Sequence, residues 1–202
     1  MTSPFASDVI ADMREIREEG LSRDQFTEIS RVVARDCRRF GDADRLYFVV
    51  GNYDEGRGQR DRVAATRDRI SGFRSDTEAF LLEEVDPDDE AWENWYVKFR
   101  VFLRRATWVV GVFEDNDGGH ELEAGEVDTG DLYVLKRDYY TREGDPDVET
   151  EHDRFDGMLA KYFAFLENRD RLYRWTTADV ENVDGLETAT DRLLNDTVLD
   201  GD

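Results

Sequence analysis

The chain has 202 residues, 49 of them Asp or Glu against 27 Lys or Arg, for a formal net charge of -22, and only Lys98, Lys136 and Lys161 are lysines. Such a surface repels nucleic acid and anionic lipid, which excludes both as partners. Its acidic, arginine-biased and lysine-poor character is that of a halophilic protein, in which concentrated salt screens the self-repulsion; a carboxylate here is solvated surface unless something singles it out.

The length suits one domain with a full core. No segment approaches the roughly 18 apolar residues that cross a bilayer, and "MTSPFASDVIADMREI" lacks the basic start and apolar run of a signal peptide. A cytoplasmic protein without a membrane partner is expected. Cys37 is the single cysteine and His120 and His152 are the two histidines, so no disulfide, zinc site or other metal centre is expected. No cofactor is expected either.

The first forty residues read as helical. Val9, Met13 and Ile16 share a face before Gly20, and "SRDQ" at 22–25 is a capping-box pattern opening a second helix that aligns Phe26, Ile29, Val33 and Cys37. Residues 1–42 are therefore assigned to an N-terminal helical extension and 43–202 to an α/β domain. The extension could pack on that domain, dimerise or form a small helical module.

From residue 45 onward, apolar β-rich runs alternate with amphipathic helices. The runs are "RLYFVVGNY", ending its strand at Gly51, then "AFLLEEV" (79–85), "TWVVGVF" (107–113), "LYVLKR" (132–137) and "RLYRW" (171–175). Between them, Trp92, Trp95, Tyr96, Phe99, Phe102 and Leu103 recur at helical spacing and read as core rather than as a cofactor platform. Phe155, Met158, Leu159, Tyr162, Phe163 and Leu166 repeat the pattern, and 184–196 make a closing helix. The alternation predicts a parallel, doubly wound five-stranded sheet of flavodoxin-like order 2-1-3-4-5. In that order the carboxyl ends of strands one and three lie side by side at the switch point, where ligands bind.

Two stretches reach that crevice. After strand one, "GNYDEGRG" (51–58) lacks the Lys-Ser/Thr pair of a P-loop. It is either an ordinary turn or a glycine-rich turn whose amides, with Gly51, Asn52, Tyr53 and Asp54, meet an anion, sugar or base. After strand three, "GVFEDNDGGHELEAGEV" (111–127) places Glu114 and Asp115 at the strand end, followed by a glycine pair, His120 and a run of glutamates.

The "VVGVF" strand, its acidic loop, and Gly119, Glu123 and Gly125 at intervals of four and six resemble the nucleoside 2-deoxyribosyltransferase family and its TIR-like relatives. "LYFVVGNY" resembles that family's first strand and substrate-contacting loop. The resemblance spans residues 45 to 175. It departs from the family where Thr becomes His120, where Asp before the strand becomes Thr107, and where the first-loop proline is missing.

The resemblance implies that Glu123 is the nucleophile toward the anomeric carbon of a nucleoside, nucleotide or NAD-like substrate. It implies substrate contacts from the loop Gly51, Asn52, Tyr53 and Asp54 and from Gly119 and Gly125; by position alone, Glu114 and Asp115 at the strand end could accept from sugar hydroxyls, and His120 could protonate a leaving base. A carboxylate beside an anomeric carbon can stabilise oxocarbenium character or capture it covalently. Sites in that family are often completed by a neighbouring subunit, so a homo-oligomer is also expected. The competing reading is a non-catalytic TIR-like module that senses a nucleotide or assembles with partners.

Overall fold

The computed structural model describes residues 4–16, 22–88, 91–92, 94–115, 125–128, 130–138, 155, 157–176 and 183–199. Two helices lead, α1 (Pro4–Ile16) and α2 (Arg23–Asp36). The predicted capping box forms at the start of α2: Ser22 Oγ accepts from the Gln25 amide at 3.2 Å, and Gln25 Oε1 accepts from the Ser22 amide at 3.1 Å. The helices bury Val9, Met13, Ile29, Val33 and Cys37 in the same apolar cluster as the next helix-covered sheet face. Burial, reinforced by Asp36, pushes the Cys37 thiol up to about 12, which leaves it protonated and inert.

Five parallel strands follow: β1 (Arg45–Gly51), β2 (Thr77–Phe80), β3 (Trp108–Phe113), β4 (Leu132–Arg137) and β5 (Leu172–Trp175). Their order is β2-β1-β3-β4-β5, as the alternating pattern predicts. The connecting helices are α3 (Gln59–Ser71), α4 (Trp95–Arg105) and α5 (Gly157–Glu167), and α6 (Asp184–Leu199) closes the chain. Because both faces are covered, the strands read as nearly unbroken apolar runs. Leu46, Phe48, Val50, Val109 and Val134 face α4, α5 and the N-terminal helices, while Tyr47, Val49, Val110, Val112 and Leu135 face α3 and α6.

Three local expectations change. The second strand stops at Phe80 rather than Val85, because the Glu84 carboxylate accepts the Leu81 amide at 2.9 Å and folds Leu82–Glu84 into a 3-10 turn. Trp92 lies ahead of α4, which starts where Asn94 Oδ1 accepts the amides of Tyr96 and Val97. Of the two apolar stripes, Phe99, Phe102 and Phe163 are core, whereas Trp95 and Tyr96 are about half exposed and Met158 is 81% exposed. All three sit in the first turn of their helix, beside the buried Val97 and Leu159 of the same turns.

Gly51 ends β1 at the tightest approach of the two central strands. A Cβ there would lie 2.7 Å from Val63 Cγ2 and 3.0 Å from the Val112 carbonyl oxygen. Gly51→Ala is expected to cost about 1–3 kcal/mol of overpacking. At roughly 2–4 °C per kcal/mol for a domain of this size, the thermal midpoint should fall by a few to about ten degrees; an unchanged midpoint would mean that α3 yields freely.

Candidate functional site

The pairing of Gly51 with Val112 sets the carboxyl ends of β1 and β3 side by side. The chain leaves β1 through 52–54, makes a 3-10 turn at Glu55–Arg57 and enters α3 through Gly58, whose φ of 65° favours glycine. In this glycine-rich turn two of the amides are already taken. Asp54 Oδ1 itself accepts the amides of Gly56 at 2.8 Å and Arg57 at 3.3 Å and so caps the 3-10 turn.

At the end of β3 the two adjacent acids are buried and point to different partners. Asp115 accepts from Arg57 Nη1 at 2.9 Å, Gln59 Nε2 at 2.8 Å and Asn52 Nδ2 at 3.3 Å. Glu114 is gripped bidentately by Arg62, at 2.7 and 2.8 Å, and receives Arg137 Nη1 at 2.8 Å. Arg62 also donates to the Arg57 carbonyl at 2.7 Å, and the Arg137 guanidinium lies 5.4 Å from the Trp175 ring. Side chains of Arg62 and Glu114 are each 2% exposed, a depth at which ions must be paired. The network ties β3 and β4 to the turn after β1 and the first turn of α3.

Asn52 and Tyr53 are consecutive, yet they reach different features. Asn52 turns to Asp115, while Tyr53 lines a cavity of about 260 Å³ between β1, the turn after β2 and α4. Phe48, Val50, Leu82, Trp95 and Lys98 line it too. Lys98 is 3% exposed, and its Nζ donates to the Asp86 carbonyl at 3.4 Å. Asp86, in the left-handed region at φ 53°, uses its carboxylate to accept the amides of Ala91 and Trp92 and donates its own amide to Asp36 Oδ2. Hydrogen bonding from Arg35, helped by that amide and by Lys98, holds the Asp36 carboxyl below the usual carboxylate range.

The sequence-derived residues thus divide. Gly51, Asn52, Asp54, Glu114 and Asp115 gather at the ends of β1 and β3, with Gly51 serving packing and Asp54 serving its own turn, while Tyr53 lines the cavity by α4 instead. Gly119, His120 and Glu123 lie outside the described residues. Gly125 is helical, and an added Cβ there would meet nothing within 4 Å, so space does not demand glycine. Glu126 pairs with Arg100 of α4, and Val127 is buried in the core. Thr107 ties the opposite end of the sheet, its Oγ1 accepting the Leu46 amide at 3.0 Å.

Gln59, Arg62, Lys98 and Arg137 were not read as site residues from the sequence, and Trp95 was read as core. One signal was available: Gln59, Arg62 and Thr66 occupy the inner face of α3 beside Val63 and Ile70, and polar side chains on a core-facing stripe ask for buried partners.

The model of the family described as "Family of unknown function (DUF8170)" matches residues 4–196. The chain belongs to this family. The matched span takes in both N-terminal helices and all five strands. No curated protein and no solved structure matches the chain. Among the described residues of this DUF8170 member, no group of three or more His, Cys, Asp or Glu could hold a metal ion. No helix among them is long and apolar enough to cross a membrane.

Proposed function

We propose that this chain cleaves or transfers an N-glycosidic bond of a nucleoside, nucleotide or NAD-like substrate, with Glu123 as nucleophile. The observation that supports it most is the Asn52–Asp115 contact, which joins the turn after β1 to the end of β3 beside the Tyr53 cavity. In open α/β sheets that junction is where ligands bind. Asp115 stands eight residues ahead of Glu123, in the loop whose Gly119, Glu123 and Gly125 spacing resembles the deoxyribosyltransferase family.

In the proposed step a carboxylate oxygen of Glu123 bonds to the anomeric carbon as the bond to the base nitrogen breaks. The base leaves with that electron pair and takes a proton from His120 or water. Water or an acceptor hydroxyl then attacks the anomeric carbon and restores the carboxylate. Incubation with a panel of nucleosides and nucleotides in molar salt is expected to release free base, read by chromatography.

A second reading has its own support. Glu114 and Asp115, expected from their place at the strand end to meet sugar hydroxyls, are held in ion pairs by Arg62, Arg137 and Arg57. A rigid, self-neutralised crevice suits a non-catalytic nucleotide-sensing module. Thermal stabilisation by a nucleotide with no base release across the panel would favour that reading and reject the enzyme.

A further inference from the structure

We infer that Gln59 is a sugar-binding residue, whose buried side-chain oxygen Oε1 accepts a hydrogen bond from a ring hydroxyl of the ligand at the ends of β1 and β3. The inference rests on the proposed reading that a nucleoside-type ligand enters that crevice. It deepens the reading by naming a free sugar hydroxyl as what the crevice selects.

Gln59 opens α3 and is 2% exposed. Its Nε2 donates to Asp115 Oδ2 at 2.8 Å, which turns the amide toward the end of β3. A carboxylate accepts and does not donate, so the amide nitrogen must face it and the amide oxygen must lie on the other side. Among the described residues, nothing donates to that oxygen. A buried acceptor left in this state is destabilising, and a ligand that brings a donor recovers the loss. Arg57 marks the way in. Its Nη1 meets the same Oδ2 at 2.9 Å, so the guanidinium lies against the Gln59 amide, and at 47% side-chain exposure it can move aside into water.

The surroundings choose the kind of donor. A cationic donor at Oε1 would be set beside the Arg57 guanidinium, so the donor is neutral. Asn52, Arg57 and Gln59 surround Asp115 with amide and guanidinium groups and offer no aromatic face on which a base would stack. The aromatic walls, Tyr53 and Trp95, belong to the cavity by α4. In a nucleoside, the neutral donors away from the base are the sugar hydroxyls. Asp115 also sharpens the acceptor, because the hydrogen bond from Nε2 to a carboxylate polarises the amide and strengthens what Oε1 can accept. The acid at the strand end, itself engaged by Asn52, Arg57 and Gln59, thus acts on the hydroxyl through Gln59.

Calorimetric titration of the full chain in molar KCl with adenosine, inosine and uridine, each beside its 2′-deoxy, 3′-deoxy and 2′,3′-dideoxy forms, tests this. At least one ribonucleoside is expected to bind saturably, and its dideoxy form about five- to 150-fold more weakly, because a site built to meet a hydroxyl rejects the analogue that lacks it. The two monodeoxy forms show which hydroxyl is met. Gln59→Met, of similar size but with neither donor nor acceptor, should bring the ribo and dideoxy forms to equal affinity, while Asp115 keeps Arg57 and Asn52. Should that variant fail to fold, the parent's series alone decides. No saturable binding of any ribonucleoside would overturn the inference. So would equal binding of ribo and dideoxy forms by the parent, the result if a buried water satisfies Oε1, or a folded Gln59→Met that keeps the parent's preference. Base release from ribo and dideoxy forms alike would leave the glycosidic reading standing and remove Gln59 from it. The expected hydroxyl preference without base release would do the reverse.

Discussion

Replacing Glu123 by glutamine is expected to slow base release by on the order of a thousandfold or more, while Glu121→Gln leaves it within a few-fold. The amide is nearly the size of the carboxylate, so binding and folding should persist. What it lacks is the negative charge that faces developing positive charge on the sugar, and the oxygen nucleophile that captures the anomeric carbon. Three decades in rate correspond to about 4 kcal/mol of transition-state stabilisation, a normal magnitude for a removed nucleophile. Glu121, two residues upstream and outside the Gly119, Glu123 and Gly125 spacing, serves as a charge-matched control. Equal activity of the two variants would withdraw Glu123 from the chemistry. Equal loss, with thermal midpoints unchanged, would point to the acidity of the segment as a whole.

The sheet was legible because parallel strands buried on both faces leave continuous apolar runs, and five such runs separated by helical patterns leave few topologies. "LYVLKR" appears as β4 with the expected bounds. "AFLLEEV" misled because Leu81, Leu82 and Val85 are buried as a strand would bury them, although the chain there is a turn closed by Glu84. The crevice was legible on its loop side, since order 2-1-3-4-5 brings residues after Gly51 to the end of β3. Its helix side was not. In a chain this rich in charge, Arg62 and Lys98 look like ordinary solvated helix positions, and their partners lie far away in sequence or on the main chain: Glu114 is 52 residues from Arg62, and Lys98 meets a carbonyl oxygen. Trp95 was hidden differently, because spacing shows which face a residue occupies and not how far along the helix the sheet reaches.

Arg62→Met is the substitution expected to destabilise the fold most through a single contact. Removing one partner of a buried ion pair leaves the other charge desolvated and costs about 3–5 kcal/mol. Here Glu114 would keep Arg137 but lose a two-pronged grip at 2.7 and 2.8 Å, and the Arg57 carbonyl would lose its donor. For a chain of this length the thermal midpoint should drop by roughly 6–20 °C. Arg62→Lys keeps the charge without the planar fork and should fall between the variant and the parent. Arg62→Met combined with Glu114→Gln should recover part of the loss, because the stranded charge is gone. The salt response separates this pair from the acidic surface. In molar salt the screening length is about 3 Å, so an exposed pair such as Arg60 with Glu55 contributes little and Arg60→Gln should barely move the midpoint. The Arg62–Glu114 pair excludes the ions that would screen it, so its deficit should persist undiminished from low to molar KCl. A deficit that vanishes on adding salt would mean that Arg62 and Glu114 meet in water, and the crevice at the end of β3 would then lack the dry, fixed frame from which Asn52 and Asp115 are positioned.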